Sequence, residues 1–478
     1  MSSTAQSLAG KRIYSLLDEN SFVEIGGCVT ARNTDFNLSE KETPADGVIT
    51  GYGVIDGSLV YVYSQDASVL NGSIGEMHAK KIVHLYDLAM KTGAPVIGLI
   101  DCAGFRLQEA TDALNAFGEI YTKQVMASGV IPQITGIFGN CGGGLAVVPA
   151  LTDFTFMEKD KARLFVNSPN ALEGNDSSKC DTSSAQYQSQ NAGLVDVLGS
   201  EEEILAQMRQ LVSMLPSNYE DNSAYTECTD DLNRVCPELA NCVGDTSIAL
   251  SQIADNNEFF EVKAEYAKDM VTGFIRLNGA TVGCVANRSE IYNEEGEKTD
   301  SFDNVLSARG CKKAAQFVKF CDAFEIPVLT LTNVKGYKAT KCSEANMARN
   351  AAELTNAFIS ATVPKVNVVI GEAFGSAYLT MNSKSTGADM VYAWPSAQIG
   401  MMDAKLAAKI MYAGSDVQTI NEKAAEYAML QSSALSAAKR GYVDTIIEPL
   451  DTRKYVIGAF EMLFTKRENR PDKKHGTV

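Results

Sequence analysis

Apolar and polar positions along this chain alternate between helical and strand-like patterns. Two stretches, 80–93 and 312–325, repeat apolar residues at helical spacing and predict amphipathic helices. Each leads through a proline into a nearly continuous apolar run, and a second helix leads through another proline into a second run. The four predicted strands lie at 95–101, 132–139, 327–333 and 364–371. Such strands, alternating with helices, indicate an α/β fold with a parallel sheet covered on both faces.

The second half of the chain repeats the first. Both halves open with a predicted hairpin, at 50–57 and 272–279, which ends in the turn Asp56-Gly57 or Asn278-Gly279. Beyond the hairpins, residues match at a constant offset of 232. The matches are Lys80-Lys81 with Lys312-Lys313, Pro95 with Pro327, Gly104 with Gly336, Ser128 with Ser360, Pro132 with Pro364 and Gly143 with Gly375. Self-similarity at one spacing indicates an internal duplication.

A polar segment separates the two copies. Residues 215–245 contain proline and lack periodicity, so we place the linker there and the domains at 1–225 and 226–478. The second copy carries an acidic insertion, 293–304, which we predict to be a solvated loop.

Composition narrows the function classes. The 478 residues carry a net charge of −17, which argues against nucleic-acid or anionic-membrane partners. No leader and no apolar stretch of about 18 residues or more is visible, so we expect a cytoplasmic protein. The 11 cysteines include no C-x-x-C pair and are predicted to be free thiols, mostly in the core. His78, His84 and His475, the last in a charged tail predicted to be mobile, are not spaced as metal ligands, so no metal is expected.

Each second strand runs into a turn of small residues, at 139–144 and 373–377. The phosphate-loop, dinucleotide-binding and serine-hydrolase motifs are missing. Small residues before a helix present free N–H groups with no Cβ in the way, which suits an oxyanion. The other interpretation is close helix–strand packing, and finding the feature twice favours two binding sites.

Two side chains near the first turn, Cys141 and Arg106, each allow two interpretations. Cys141 is a possible nucleophile, but no histidine lies nearby in sequence, so core packing is favoured. Arg106 follows the first parallel strand, where ligands of α/β sheets bind. The position of Arg106 is compatible with a contact to a phosphate and with a surface ion pair with Glu109.

Nearly the whole chain resembles the carboxyltransferase subunit of biotin-dependent acyl-CoA carboxylases and related acyl-CoA decarboxylases. Matching stretches in matching order include PADGVITGYGVIDGSLVYVYSQD, GSIGEMHAKK, RLQEA, KFCDAFEIP and AWPSAQI. The resemblance implies two tandem crotonase-like domains of the ClpP/crotonase superfamily, in agreement with the repeat.

The resemblance also implies a mechanism. In the family, carboxybiotin releases its carboxyl group as CO2, and the ureido nitrogen then takes the α-proton of an acyl-CoA thioester. Backbone N–H groups hold a thioester enolate in the first domain and a biotin enolate in the second. Gly143 and Gly144 match the first pair of donors, and Ser376 and Ala377 match the second. Substrate contacts are further implied at Gly104, Arg106, Gly142, Gly336, Gly375, Tyr378 and Leu379.

Three motifs depart from the family pattern. Gly-Gly-Ala-Tyr-Asp is replaced by 375–379, where Ser376 keeps its N–H and Leu379 replaces an acid that shapes the acyl pocket. Pro-Gly-Phe is replaced by Lys335-Gly336-Tyr337, and Gly-Gly-Ala-Arg by 103–106. These changes bear on which acyl-CoA is the substrate.

The resemblance implies partners as well. It predicts a homo-oligomer, a dimer or hexamer, in which the two sites meet across protomers. The run Ala89-Met90-Lys91 resembles a biotin attachment site, but Lys91 lies in a predicted helix rather than at a hairpin tip, so we do not expect it to carry biotin. No carrier or ATP-binding domain is visible either. Biotin is therefore expected on a separate carrier, with a biotin carboxylase or membrane decarboxylase subunits as partners.

Three functions stay open at this point. The first is carboxyl transfer between biotin and a short acyl-CoA, and the second is the same subunit in a sodium-pumping decarboxylase of methylmalonyl- or glutaconyl-CoA. The third is a catalytically silent scaffold. An acyl-CoA hydratase is disfavoured because it needs a pair of Glu side chains, and Glu372 near the second turn has no evident mate.

Overall fold

The computed structural model describes residues 6–34, 41–221 and 225–471, so His475 lies outside the described residues. It divides into two compact units, 1–224 and 225–478, one residue away from the predicted boundary. In the predicted linker, 215–245, the only helix among the described residues is a short 3-10 helix, Leu239–Cys242.

Unit 1 is built around one mixed sheet. Its helices are α1 (Leu8–Leu16), α2 (Glu76–Thr92), α3 (Ala110–Ala127), α4 (Val147–Ala150), α5 (Ala185–Tyr187) and α6 (Glu201–Met214). Its strands are β1 (Val23–Ile25), β2 (Val48–Ile55), β3 (Ser58–Gln65), β4 (Val96–Cys102), β5 (Gln133–Gly142), β6 (Phe154–Glu158), β7 (Arg163–Phe165) and β8 (Val197–Gly199). The strand order is β1-β2-β3-β4-β5-β6-β8, with β7 beside β5. Strands β1 to β3 pair antiparallel, and the others pair parallel.

Unit 2 repeats this sheet. Its helices are α7 (Thr246–Ile253), α8 (Ala308–Ala323), α9 (Lys341–Ser360), α10 (Gly375–Thr380), α11 (Ala404–Met411), α12 (Val417–Tyr427), α13 (Ala434–Lys439) and α14 (Thr452–Leu463). Its strands are β9 (Phe259–Val262), β10 (Met270–Leu277), β11 (Ala280–Asn287), β12 (Glu290–Tyr292), β13 (Lys298–Ser301), β14 (Val328–Val334), β15 (Lys365–Phe374), β16 (Met390–Ala393), β17 (Gln398–Gly400) and β18 (Thr445–Ile446). The order β9-β10-β11-β14-β15-β16-β18, with β17 beside β15, is that of unit 1. The predicted duplication and α/β fold are confirmed.

Both hairpins form where the turn residues predicted them. Strands β2 and β3 meet at Asp56-Gly57, and β10 and β11 meet at Asn278-Gly279. All four turn residues have positive φ, between 48° and 81°, as the tight turn of a twisted hairpin requires. The antiparallel hairpins extend an otherwise parallel sheet on one side in each unit.

The matched lysines Lys81 and Lys313 are buried, and each donates hydrogen bonds to backbone carbonyls. Lys81 Nζ donates to the carbonyls of Ala45 (2.9 Å) and Val48. Lys313 Nζ donates to the carbonyls of Lys263, Tyr266 and Met270 at 2.8, 2.9 and 2.7 Å. Burial lowers the pKa of Lys81 to about 8 and that of Lys313 to about 7. Each lysine holds the loop before the first hairpin strand of its unit.

The acidic insertion is not a loop, so that prediction was wrong. Strand β13 lies within the insertion and pairs antiparallel with β12, which directly precedes the insertion. All residues of β13 are exposed, as expected for a solvated segment. The turn closes because Asn293 Oδ1 accepts from the Glu297 N–H (2.7 Å), and Lys298 pairs with Glu290 (3.0 Å). Local turn chemistry therefore outweighs the acidic composition.

Cysteines follow the predicted pattern. All 11 are free thiols, and seven of them are buried.

In the part of the chain that the structure describes, His, Cys, Asp and Glu form no group of three able to hold a metal. No helix within the described ranges has the length and apolar character to span a membrane.

Candidate functional site

The first small-residue turn joins β5 to a 3-10 helix, Gly143–Ala146. Gly143 has a φ of +64°, and a Cβ there would face open space. A 3-10 helix forms its first bond from the third helical N–H, here that of Leu145, so the N–H groups of Gly143 and Gly144 have no acceptor within the helix. The Gly144 N–H donates in none of the described turn and loop hydrogen bonds, whereas Gly143 directly follows the strand pairing of Gly142 with Phe165. The turn therefore presents the Gly144 amide as a free donor.

The glycine before this pair has a different role. A Cβ on Gly142 would lie 2.7 Å from the Phe165 ring, so any larger residue there would have to displace this ring. The close-packing interpretation thus accounts for Gly142 but not for Gly143, where nothing is packed.

Two aromatic side chains flank Gly144. The Tyr121 hydroxyl, from α3, donates to the Gly144 carbonyl. Phe105 is 37% exposed, and its ring lies 3.2 Å from where a Cβ on Gly144 would stand. Sequence reasoning missed Tyr121, because no pattern in one sequence places a helical residue beside a turn 23 positions later.

Cys141 lies in the core, as predicted. Its side chain is fully buried and its Sγ lies 3.6 Å from the Leu145 carbonyl oxygen. Burial raises the pKa of the thiol well above its usual value. A protonated, enclosed thiol is a poor nucleophile, so the packing interpretation is confirmed.

Arg106 is buried against internal partners, which corrects the expected substrate contact. It is 1% exposed, and its guanidinium pairs with Asp46 (2.5 Å) and Glu109 (2.9 Å) and donates to the Ser73 carbonyl (2.7 Å). The pair with Glu109 exists, but it is buried rather than at the surface. A guanidinium that spends its donors on internal acceptors has none left for a phosphate.

A buried histidine completes this cluster, and sequence reasoning missed it. His78 Nδ1 lies 2.9 Å from the Asp46 carbonyl oxygen, and its Nε2 lies 3.2 Å from Gln65 Nε2. Since the carbonyl can only accept, Nδ1 carries the proton. Burial, together with the charge of Arg106, lowers the pKa of His78 to about 3. The cluster ties α2 to the strained loop before β2, where Asp46 has a φ of +51°.

The second turn joins β15 directly to α10. Gly375, at the repeat position of Gly143, has a φ of +60°. In an α-helix the first bond runs from the fourth helical N–H, here that of Tyr378, to the residue before the helix. The N–H groups of Gly375, Ser376 and Ala377 therefore lack an acceptor within α10. Gly375 directly follows the strand pairing of Phe374 with Gly400, so the amides that this turn presents beyond the strand are those of Ser376 and Ala377.

A cavity of about 490 Å³ opens beside the second turn. Its lining is mostly apolar and includes Gly375, Ser376, Tyr378, Leu379, Lys384, Ile399, Gly400, Met401, Ala437, Arg440 and Tyr442. Tyr378 is 7% exposed and its hydroxyl has no hydrogen-bond partner. Burial raises the pKa of Tyr378 to about 12, so the phenol stays a neutral donor.

The charged groups of this cavity are engaged with protein partners. Lys384 pairs with Asp444 at 2.8 Å, and Arg440 donates to Ser436 Oγ at 2.6 Å. The lining that the structure describes includes no Asp or Glu, and Glu372 accepts from the Asn304 amide (3.0 Å) outside it. The acid pair that a hydratase needs is thus not found in this lining.

The loop glycines lie one residue away from side chains that reach the turns. Gly104 has a φ of +100° and precedes Phe105, which flanks Gly144. At the repeat position Gly336 precedes Tyr337, whose hydroxyl lies 2.9 Å from Thr380 Oγ1 on α10. The structure therefore brings Gly104 near the first turn and Gly336 near the second, each within its own unit.

Comparisons with known proteins all give the same family. Residues 3–478 match the carboxyl transferase domain family. The propionyl-CoA carboxylase beta chain of Roseobacter denitrificans is 40% identical over 98% of this chain and 93% of that protein. The methylmalonyl-CoA decarboxylase subunit alpha of Veillonella parvula is 39% identical over 98% and 92%. Transcarboxylase 12S, a hexamer solved with hydrolysed methylmalonyl-CoA bound, superposes with a TM-score of 0.91 at 36% identity over 99% of this chain and 93% of that one.

Proposed function

Because this chain belongs to the carboxyl transferase family, we propose that it moves a carboxyl group between biotin on a separate carrier protein and a short-chain acyl-CoA thioester. One observation carries the proposal: both copies of the repeat end their central strand in a left-handed glycine followed by free amides. Main-chain donors of this kind stabilise oxyanions without any side-chain acid or base.

In the proposed site of unit 1, the N–H groups of Gly143 and Gly144 bind the thioester oxygen. Each such donor lowers the barrier by about 2.7–4 kcal/mol when it points at developing negative charge. The Phe105 ring borders this turn, 3.2 Å from where a Cβ on Gly144 would stand.

In the proposed site of unit 2, the N–H groups of Ser376 and Ala377 bind the oxygen of the ureido ring. Apolar walls, main-chain donors and one neutral phenol suit an uncharged bicyclic group, so the residues present fit biotin. Biotin, when bound, supplies the nitrogen that carries the carboxyl group and exchanges it for a proton. Leu379, 43% exposed, extends the apolar wall of this cavity.

A second candidate is the same subunit working in the opposite direction. The near-equal identities to the carboxylase beta chain and to the decarboxylase alpha subunit support a role in a sodium-pumping acyl-CoA decarboxylase. In either case we propose a cytoplasmic homo-oligomer. Its partners would be a biotin carrier protein with a biotin carboxylase, or membrane decarboxylase subunits.

The test is an assay of the purified chain with free biotin. Malonyl-, methylmalonyl- and glutaconyl-CoA are offered in turn, and the decarboxylated thioester is quantified with and without biotin. We expect biotin-dependent decarboxylation of at least one substrate. Failure with all three, in a chain that is folded by circular dichroism and binds CoA by calorimetry, would support the silent scaffold instead.

A further inference from the structure

We propose that Tyr337 and Thr380 are positioning residues for the second turn, a role that rests on the proposed function. The Tyr337 hydroxyl lies 2.9 Å from Thr380 Oγ1, and Thr380 Oγ1 donates to the Ser376 carbonyl at 3.1 Å. Thr380 is 4% exposed. Two hydroxyls thus link the loop after β14 to the backbone of the turn.

The direction of these hydrogen bonds follows from counting protons. Thr380 has one hydroxyl proton, and the Ser376 carbonyl can only accept it. Tyr337 must then donate to Thr380. Thr355 Oγ1 lies 3.4 Å from Thr380 Oγ1, but its proton goes to the Ala351 carbonyl at 2.8 Å. The relay therefore runs from Tyr337 through Thr380 to Ser376.

The acceptor matters because of peptide geometry. The Ser376 carbonyl and the Ala377 N–H belong to one planar trans peptide and point in opposite directions. A hydrogen bond that fixes this carbonyl also fixes the direction of the Ala377 N–H. That N–H is one of the two proposed donors to the ureido oxygen, so the relay keeps it aimed at the ligand.

In unit 1 a hydroxyl group also fixes the carbonyl at the corresponding position, but through a different contact. At the offset of 232, Gly144 corresponds to Ser376, and its carbonyl accepts directly from the Tyr121 hydroxyl. The position of Tyr121 is taken in unit 2 by Glu353, which pairs with Lys319 at 2.9 Å. Unit 2 therefore lacks that phenol.

The position of Phe105 is taken in unit 2 by Tyr337, which supplies the missing hydroxyl from a different element. In both units a phenol hydroxyl thus holds the corresponding carbonyl, directly in unit 1 and through Thr380 in unit 2.

Four variants test the relay, with steady-state kinetics on free biotin and the acyl-CoA that the wild type accepts. Thr380→Val removes the hydroxyl at constant shape, and Thr380→Ser keeps it. We expect kcat to fall about tenfold in Thr380→Val and about fivefold in Tyr337→Phe, and to stay within about twofold of wild type in Thr380→Ser. The KM for biotin should change by less than about twofold. The double variant Tyr337→Phe/Thr380→Val should be no slower than Thr380→Val, because Tyr337 acts through Thr380.

The proposal is rejected if Thr380→Val keeps wild-type kcat, if Thr380→Ser loses as much as Thr380→Val, or if the losses of the two single variants multiply. A wild type that turns over no acyl-CoA refutes the proposed function, and the relay is then judged by amide hydrogen exchange of residues 375–381. Faster exchange in Thr380→Val than in Thr380→Ser supports the relay, and equal rates refute it.

Discussion

Three consecutive glycines at the first turn serve different purposes. Gly142 makes room for Phe165, Gly143 adopts a left-handed φ of +64°, and the Gly144 N–H donates in none of the described turn and loop hydrogen bonds. The sequence shows only that all three are small. Position along a strand, a turn and a helix start decides which property of glycine is used at each.

The N–H of Gly144 is open to a direct test. Gly144→Pro removes this donor, and we expect kcat of the biotin-dependent decarboxylation to fall about a hundredfold or more. Gly144→Ala is the matched control, because it keeps the N–H while placing a Cβ 3.2 Å from Phe105. Both variants must bind CoA in calorimetry. Equal losses of kcat in the two variants would mean that crowding, not the missing N–H, is responsible.

Single residues also mark the limit of prediction. The turns that carry Gly143 and Ser376 were predictable because small residues, a strand end and a helix start are all local patterns. The buried pair of Arg106 with Asp46 was not, because Asp46 lies 60 positions away and only the fold brings the two together. An arginine after a parallel strand has the same local pattern whether it faces a ligand or an internal carboxylate.

Among the helices and strands, periodicity predicted the repeated elements well and their ends less well. Helix α2 begins at Glu76, four residues before the predicted start, since its first turn packs on the Asp46 loop rather than following apolar spacing. The mixed sheet was only half predicted: hairpin pairing is local, whereas the order of parallel strands depends on crossovers. The helix type at the two turns, 3-10 or α, was not predictable from composition.

The packing of α2 predicts a pH dependence of stability. His78 has a pKa of about 3 in the folded chain and 6.5 as the ordinary value, so between these limits the unfolded state binds the extra proton. The free energy of unfolding must fall as the pH drops below 6.5, by about 2 kcal/mol between pH 8 and pH 5 from this group alone.

His78→Asn is the variant that isolates this contribution, because its amide still donates to the Asp46 carbonyl but does not titrate. Urea denaturation of both proteins at pH 8 and pH 5 measures the difference. We expect the variant to lose less stability on acidification than the wild type. The same loss in both proteins would assign the pH dependence to other groups.

For the molecule as a whole, α11 has its apolar pattern inverted. It buries the small residues Ala404, Ala407 and Ala408, while Leu406 and Ile410 are 50% and 61% exposed. Surface helices normally bury their large apolar residues, so such a face is expected to be covered by another chain. Because we propose that the chain forms a homo-oligomer, we expect a second copy of it to cover this face.

Ile410→Glu tests this surface. A carboxylate in an apolar interface should dissociate the oligomer, as measured by light scattering after size exclusion. Turnover should fall as well, since the resemblance predicts that the two sites meet across protomers. Lys405→Glu, an exposed position on the same helix, is the charge control and should leave the assembly intact. An unchanged mass for Ile410→Glu would place the interface elsewhere.

The two turns differ by a single step of helical winding, and this makes the halves of the chain non-equivalent. A tandem fusion of the first unit with itself would begin both helices as 3-10 turns, and a fusion of the second unit would begin both as α-helices. Neither artificial chain would combine the two arrangements of backbone amides in one molecule.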